Sequence, residues 1–304
     1  SLLEDSPRQF VMGDLSEYSA ENYTGDYEGP MLLRKALINS RNAVAVAVYE
    51  MMGPGRLSSL AEKILSLDET GRRLPPEATV ALGSYEMSSL EMARAFATFA
   101  SGGLRVHPHA VLYITSSQGK MLEDFRPSFK SGERILSEST ARIMTSMLED
   151  AVNKGTGQGA RLPGRRVAGK TGTTNSAADV WFVGYTPELV AATHIGYDLR
   201  RSLGERATGG GLAAPVWARF MQKALIGEKS RSFSFAAAPV DTLQICAISG
   251  HLPAGHCGER TTEIFAPGTG PREICNDHRG GDPLPAAVPL DIKKPAQILR
   301  TDDF

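Results

Sequence analysis

Two short stretches of this chain hold residue types that could act together on a ligand. In the first, Lys170 lies between Gly169 and the segment Thr171-Gly172-Thr173-Thr174. A cation, two hydroxyls and backbone N–H groups can approach a bound molecule closely there, because glycine offers no side chain to obstruct them. In the second, Ser40-Arg41-Asn42 places a hydroxyl and an amide two residues apart. Lys170 also closes a different pattern. Read backward, Gly164-Arg-Arg-Val-Ala-Gly-Lys-Thr171 satisfies G-x-x-x-x-G-K-[ST], the phosphate loop of nucleotide-binding proteins, letter for letter.

The elements that must carry these residues follow from periodicity and breakers. Residues 1–29 are polar and rich in turn residues and read as loop. Leu32, Leu33, Ala36 and Leu37 have helical spacing behind Pro30, and an apolar helix follows over Ala43–Met52, closed by Gly53-Pro54. Asn39 to Asn42 separate the two helices, a stiff mount for Ser40 and Asn42. Those two side chains could equally serve only as caps. Further helices are expected over Leu57–Leu67, over Leu90–Ala100 behind a Ser88–Glu91 capping box, from Ser137 or Ser139 to Asn153, and over Pro215–Leu225. Val111–Thr115 and Lys120–Glu123 read as a hairpin. Arg166–Thr173, Asp179–Tyr185 and Leu189–Asp198 read as an antiparallel meander, because the connections between them are short. Beyond Glu228 prolines and glycines multiply, with one strand-like run at Thr242–Ile248.

The phosphate-loop reading fits this context poorly. Such a loop follows an apolar strand and opens a helix whose N-terminus meets the phosphates. Here a glycine-rich helix end precedes the pattern and a Trp181-Phe-Val strand follows it. Read forward, Lys170-Thr-Gly-Thr173 has the letters of a serine acyl-transfer signature, and Ser40-x-Asn42 is a second signature of the same chemistry. The surrounding text extends the match. Gly29–Asn42, Leu90–Gly103 and Thr208-Gly-Gly-Gly-Leu-Ala-Ala-Pro-Val-Trp217 resemble the transpeptidase domain of class A, bifunctional penicillin-binding proteins, and the resemblance runs from about Asp5 to Leu225.

That resemblance implies an α+β fold of the penicillin-binding, serine β-lactamase-like kind, with an antiparallel sheet packed against a helical lobe. It implies a partial transpeptidase domain over 1–230 and a Cys-, Pro- and Gly-rich extension over 231–304. The implied reaction is D,D-transpeptidation: a serine attacks the D-Ala-D-Ala carbonyl of a peptidoglycan stem peptide and passes the acyl group to a neighbouring amine. β-Lactams imitate the dipeptide and halt at the acyl stage. Ser40, Asn42 and Lys170 would be catalytic. Thr171, Gly172, Thr173 and Thr174 would bind substrate, with the Thr173 N–H as half of an oxyanion hole. No cofactor is implied.

One expected motif is missing from its place. The nucleophile and its lysine should form Ser-x-x-Lys ahead of Ser40, and nothing in residues 1–39 fits. The only Ser-x-x-Lys, Ser117-Gln-Gly-Lys120, falls in the hairpin and in the wrong order. The nucleophile helix is therefore expected upstream, with a glycosyltransferase domain and a membrane anchor further upstream still, and the site on the periplasmic side. A non-catalytic peptidoglycan-binding scaffold is the alternative, and a phosphate-loop nucleotidase the remote one.

Composition limits the other classes. The formal net charge of −1 argues against nucleic-acid binding. The longest apolar run, Ala43–Val48, falls far short of the ~20 residues a membrane helix needs. His107, His109 and His194 form no recognisable triad order. Asp179 is assigned no catalytic role, and Trp181, Phe182 and Tyr185 are expected in the core. Cys246, Cys257 and Cys275 all lie in the tail, an odd number that allows at most one internal disulfide. A zinc site could be drawn from Cys257, Cys275, His278 and one more ligand. Without a C-x-x-C pair, a disulfide or free thiols is the preferred reading.

Overall fold

The computed structural model describes residues 1–11, 17–126 and 132–276. The chain opens with strands β1 (Leu2–Asp5), β2 (Gln9–Val11), β3 (Glu17–Ser19) and β4 (Gly29–Leu32). β1 pairs antiparallel with β4, and β2 with β3. Loop was expected across most of this region. Gly25 and Gly29 do turn the chain with positive φ, but Leu2–Asp5 finds its partner far away in sequence, at Gly29–Leu32.

Helices α1 (Leu33–Asn39), α2 (Asn42–Met52) and α3 (Pro54–Leu65) follow. α1 ends in a Schellman motif, with Ser40 N–H bonded to Leu37 O and Arg41 N–H to Ala36 O. The left-handed position that this motif usually gives to glycine is held by Ser40, at φ 56° and ψ 47°. Asn42 is already in the first turn of α2. The break between the helices is thus tighter than Asn39–Asn42. Arg41 locks it: its guanidinium is 6% exposed and lies 2.9 Å from Asp5, 2.8 Å from Asp26 and 2.8 Å from Glu28.

α4 (Ser89–Ala100) begins at the expected capping box, Ser88 N–H reaching Glu91 Oε2 at 2.7 Å and Glu91 N–H reaching Ser88 Oγ at 3.2 Å. β5 (Tyr113–Thr115) and β6 (Met121–Asp124) form an exposed hairpin that contains Ser117 and Lys120. α5 (Glu138–Asn153) starts at Ser137, whose hydroxyl accepts from Thr140 N–H. β7 (Ala168–Thr173), β8 (Asp179–Tyr185) and β9 (Val190–Gly196) are the antiparallel meander, in the order β7-β8-β9. α6 (Ala214–Ala224) follows a π-type turn at Gly209–Ala213. The tail forms one more pair, β10 (Asp241–Cys246) with β11 (Arg260–Phe265), where a single strand was expected. His278 and the Pro-rich end lie outside the described residues.

The meander is sandwiched between two apolar layers. One face holds Val180 and Phe182 against Trp217 and Met221 of α6. Phe182 and Trp217 meet edge to face, 5.0 Å between ring centroids, and Trp217 Nε1–H donates to Ala191 O at 3.0 Å. The other face holds Ala168 and Tyr185 against Leu148 of α5 and the half-buried Phe96 and Phe99 of α4. Tyr185 is fully buried, and its hydroxyl pairs with Thr145 Oγ1 at 2.8 Å.

α5 sets the distance between the two candidate motifs, because it packs on β7 and on α1 together. Its end is fitted to α1 with no room to spare. A Cβ on Gly155 would lie 2.4 Å from Ile38 O, two residues before Ser40. Two substitutions test this account. Trp217→Ala should cost about 3–5 kcal/mol in a urea titration, as expected for removal of a fully buried indole. Gly155→Ala should cost about 1–3 kcal/mol through overpacking against α1. A Gly155→Ala protein as stable as the wild type would contradict the fit.

Candidate active site

Lys170 sits in the middle of β7, and its side chain leaves the sheet on the α4–α5 face. It reaches the turn between α1 and α2, where Nζ donates to Ser40 Oγ at 2.8 Å. The same ammonium lies 3.1 Å from Thr171 O. The two motifs, 130 residues apart, therefore meet through their functional atoms. Among the described residues Lys170 has no carboxylate partner, and burial alone lowers its pKa from 10.5 to about 8.

Thr171 and Thr173 leave β7 on the opposite face. Thr171 Oγ1 pairs with Thr156 Oγ1 at 2.6 Å, and Thr173 Oγ1 accepts from Gly209 N–H at 3.1 Å. Thr156 was not anticipated from the sequence; its only signal was its place in the Gly155-Thr-Gly157 helix end. Gly209 rides directly on the sheet, where a Cβ would come within 2.4 Å of Trp181 O and 2.6 Å of Gly172 O. Thr174 closes the strand: its N–H bonds Asp179 O at 3.0 Å, and its hydroxyl accepts from Asp179 N–H at 2.9 Å.

Backbone polarity along β7 follows from that last pair. N–H groups alternate sides along a strand, and the Thr174 N–H points to β8. Those of Thr171 and Thr173 therefore point away from β8. β7 is an edge strand among the described residues, so these donors line an open edge beside Lys170.

Asn42 is held by the chain opposite, its Nδ2 donating to Glu21 O at 2.7 Å. Asp179 and His194 pair at 2.9 Å on neighbouring strands, with Trp181 stacked 4.4 Å from the imidazole. Trp181 is thus only partly enclosed, whereas Phe182 and Tyr185 are core, as expected.

This geometry does not fit a phosphate loop. Gly169, Lys170 and Thr171 are strand residues paired to β8, and a short 3-10 turn at Asn175–Ala177 followed by a strand stands where a helix should open. Ser117 and Lys120 flank the β5–β6 turn rather than one helical turn, so they cannot form the nucleophile pair.

Comparison with known proteins agrees with the geometry. The penicillin-binding protein transpeptidase domain matches residues 8–222, and the C-terminal domain of penicillin-binding protein 1A matches residues 239–280. Penicillin-binding protein 1A of Neisseria cinerea is 36% identical over 219 residues, which cover 71% of this chain and 27% of that protein. The Pseudomonas aeruginosa protein of the same name is 31% identical over an alignment that covers 96% of this chain and 42% of that protein. The chain thus spans about a quarter of the length of the Neisseria relatives it matches. Among solved structures, penicillin-binding protein 1A of Haemophilus influenzae superposes with a TM-score of 0.76 at 27% identity, covering 90% of this chain and 46% of that one. PonA1 of Mycobacterium tuberculosis in complex with penicillin V superposes with a TM-score of 0.65 at 26% identity, covering 76% of this chain and 65% of that one. With its Ser40–Lys170 contact and open strand edge, the chain belongs to the penicillin-binding protein transpeptidase family.

Proposed function

We propose that this chain supplies two walls of the acyl-transfer cleft of a peptidoglycan D,D-transpeptidase. Residues 1–230 form part of the transpeptidase domain, and 231–304 an extension. A Ser-x-x-Lys segment upstream of Ser1 carries the nucleophile. A glycosyltransferase domain and a membrane anchor precede it, and the cleft faces the periplasm. Among the described residues no helix is long and apolar enough to cross a membrane. The observation that carries the reading is the 2.8 Å contact between Lys170 Nζ and Ser40 Oγ.

The chemistry follows from what each group can do. A buried ammonium without a carboxylate beside it attracts one, and the substrate of this reaction ends in the carboxylate of D-alanine. Lys170 binds that carboxylate together with the Thr171 hydroxyl. Ser40, hydrogen-bonded to Lys170, passes a proton to the departing D-alanine amine. With Nδ2 committed to Glu21, Asn42 offers Oδ1 to an amide N–H of the donor peptide. The open β7 edge receives the peptide as an added strand, using the outward N–H of Thr171, with Gly172 allowing close approach and Thr174 closing the strand end. The outward N–H of Thr173 meets the developing oxyanion, a contribution of about 3–4 kcal/mol in the transition state. β-Lactams enter the same cleft, react with the nucleophile and remain as acyl adducts.

Covalent labelling by a fluorescent penicillin tests the reading in the full-length protein that contains this chain. The wild type should be labelled, and Lys170→Met should lose at least about 100-fold in labelling rate, the scale of one buried charge-assisted contact. A full-length protein that binds stem peptide without forming an adduct would establish the scaffold reading instead. The Lys170 pKa sets the pH dependence. Below about pH 8 the group is an ammonium, so labelling that depends on it should fall as pH rises through about 8. The same lowered value predicts that wild type gains stability relative to Lys170→Met between about pH 8 and 10.5, where only the unfolded chain keeps the proton. Ser40→Gly relieves the left-handed serine and should leave the melting temperature unchanged or higher while slowing turnover, a split that a purely structural Ser40 would not give.

A further inference from the structure

The tail is too small to stand on its own packing. Among the described residues its regular structure is the two-stranded β10–β11 ladder, and a lone pair of strands is marginally stable at best. Its buried cluster consists of Cys246, Cys257 and Cys275, with partly buried Ile248 and Ala254 against them. A module of that size depends on a cross-link.

The three cysteines come from three separate segments. Cys246 ends β10, and its N–H bonds His251 O at 2.8 Å. Cys257 closes a turn in which its N–H bonds Ala254 O at 3.1 Å. Cys275 arrives on an extended segment pinned to Leu252, its N–H bonding Leu252 O at 2.8 Å. The sulfur atoms nonetheless all fall within 4.8 Å of one another, and each residue is buried. Sulfurs around one tetrahedral zinc ion stand about 3.8 Å apart, as the usual zinc–sulfur bond of about 2.3 Å requires. A disulfide would use two of the three and leave the third buried and idle.

The surroundings suit an anionic sulfur. Ala254 N–H points at Cys257 Sγ at 3.3 Å, a bond that strengthens when the thiol loses its proton. Arg260 grips the same turn, with Nε donating to Cys257 O at 3.2 Å and a terminal nitrogen to Ala254 O at 3.1 Å, bringing positive charge beside the cluster.

We propose that Cys246, Cys257 and Cys275 bind one zinc ion as thiolates and so cross-link β10, the 250–257 turn and the segment ending at Cys275. Zinc suits the site because three soft sulfur donors select it over magnesium or calcium. Each S–H bond gives way to a sulfur–zinc bond and releases its proton to solvent, so affinity falls with falling pH. Water or a fourth side chain completes the tetrahedron. The full-length protein, purified under reducing conditions without chelator, should contain about one zinc per chain by elemental mass spectrometry. Cobalt(II) exchanged into it should give thiolate-to-cobalt charge-transfer absorption. Cys257→Ser should abolish both. The proposal fails if the wild type holds only background zinc and shows no cobalt band. It also fails if peptide mapping finds a native disulfide among the three, or if Cys257→Ser keeps the wild-type zinc. The cobalt spectrum of the wild type decides even if the variant fails to fold.

Discussion

An ammonium group held inside a protein without a counter-ion is costly, and much of this fold serves to hold one. Lys170 is half-buried in the middle of β7, a strand paired to β8. Among the described residues its side-chain partners are hydroxyls, Ser40 at 2.8 Å and, at the limit of contact, Thr171 at 3.5 Å. Hydroxyls ease the burial of a charge but do not neutralise it. The site is therefore short of one negative charge, and a carboxylate set beside Lys170 would relieve that cost. The serine that shares the proton is itself held in a backbone conformation that costs energy for any residue with a side chain. Rigid packing around both groups sustains these two local penalties.

That packing traces back to α5. It lies against β7 on one side and the end of α1 on the other, so it fixes where Lys170 and Ser40 stand. The tail adds a second hold on α1. Arg34 there reaches Asp150 of α5 at 3.0 Å and pairs with Glu263 of β11 with only 12–13% of either side chain exposed. Enclosed charge pairs of this kind are strict about geometry, since either partner alone would be left unpaired. The Cys-bearing module is thereby joined to the helix whose last turn presents Ser40.

Much of this was legible in the sequence because the signals were local. The Ser88–Glu91 box, the short turns of the meander and the glycines after Asn153 each act within a few residues, and the structure follows them. What was not legible depends on distant pairing. β1 and β4 are four residues each, and between them stand Asn22, Gly25 and other turn formers, so local preference reads as loop. β11, Arg-Thr-Thr-Glu-Ile-Phe, has no apolar alternation and meets β10 across a long connection. Thr156 meets Thr171 only because a helix end and a strand are brought together by the core. The convergence of three cysteines has no sequence signature at all, since no two of them share a short spacing. The two motifs were readable as text. Their 2.8 Å meeting was not.

The open edge of β7 has a consequence of its own. A strand edge with outward N–H donors will accept any extended backbone, including the edge of a second copy. Most folds cover or shorten such an edge to stay soluble. This one has to leave it accessible if a peptide is to lie there, so protection must come from elsewhere. Three features supply it. The edge is only six residues long, it carries a lysine that repels its own kind across a symmetric pairing, and Gly169 and Gly172 offer little apolar side chain for a second sheet to grip. Under the proposed function, the short, glycine-containing strand with its lysine would reconcile two opposed demands: to stay sticky toward a small peptide and unattractive to itself.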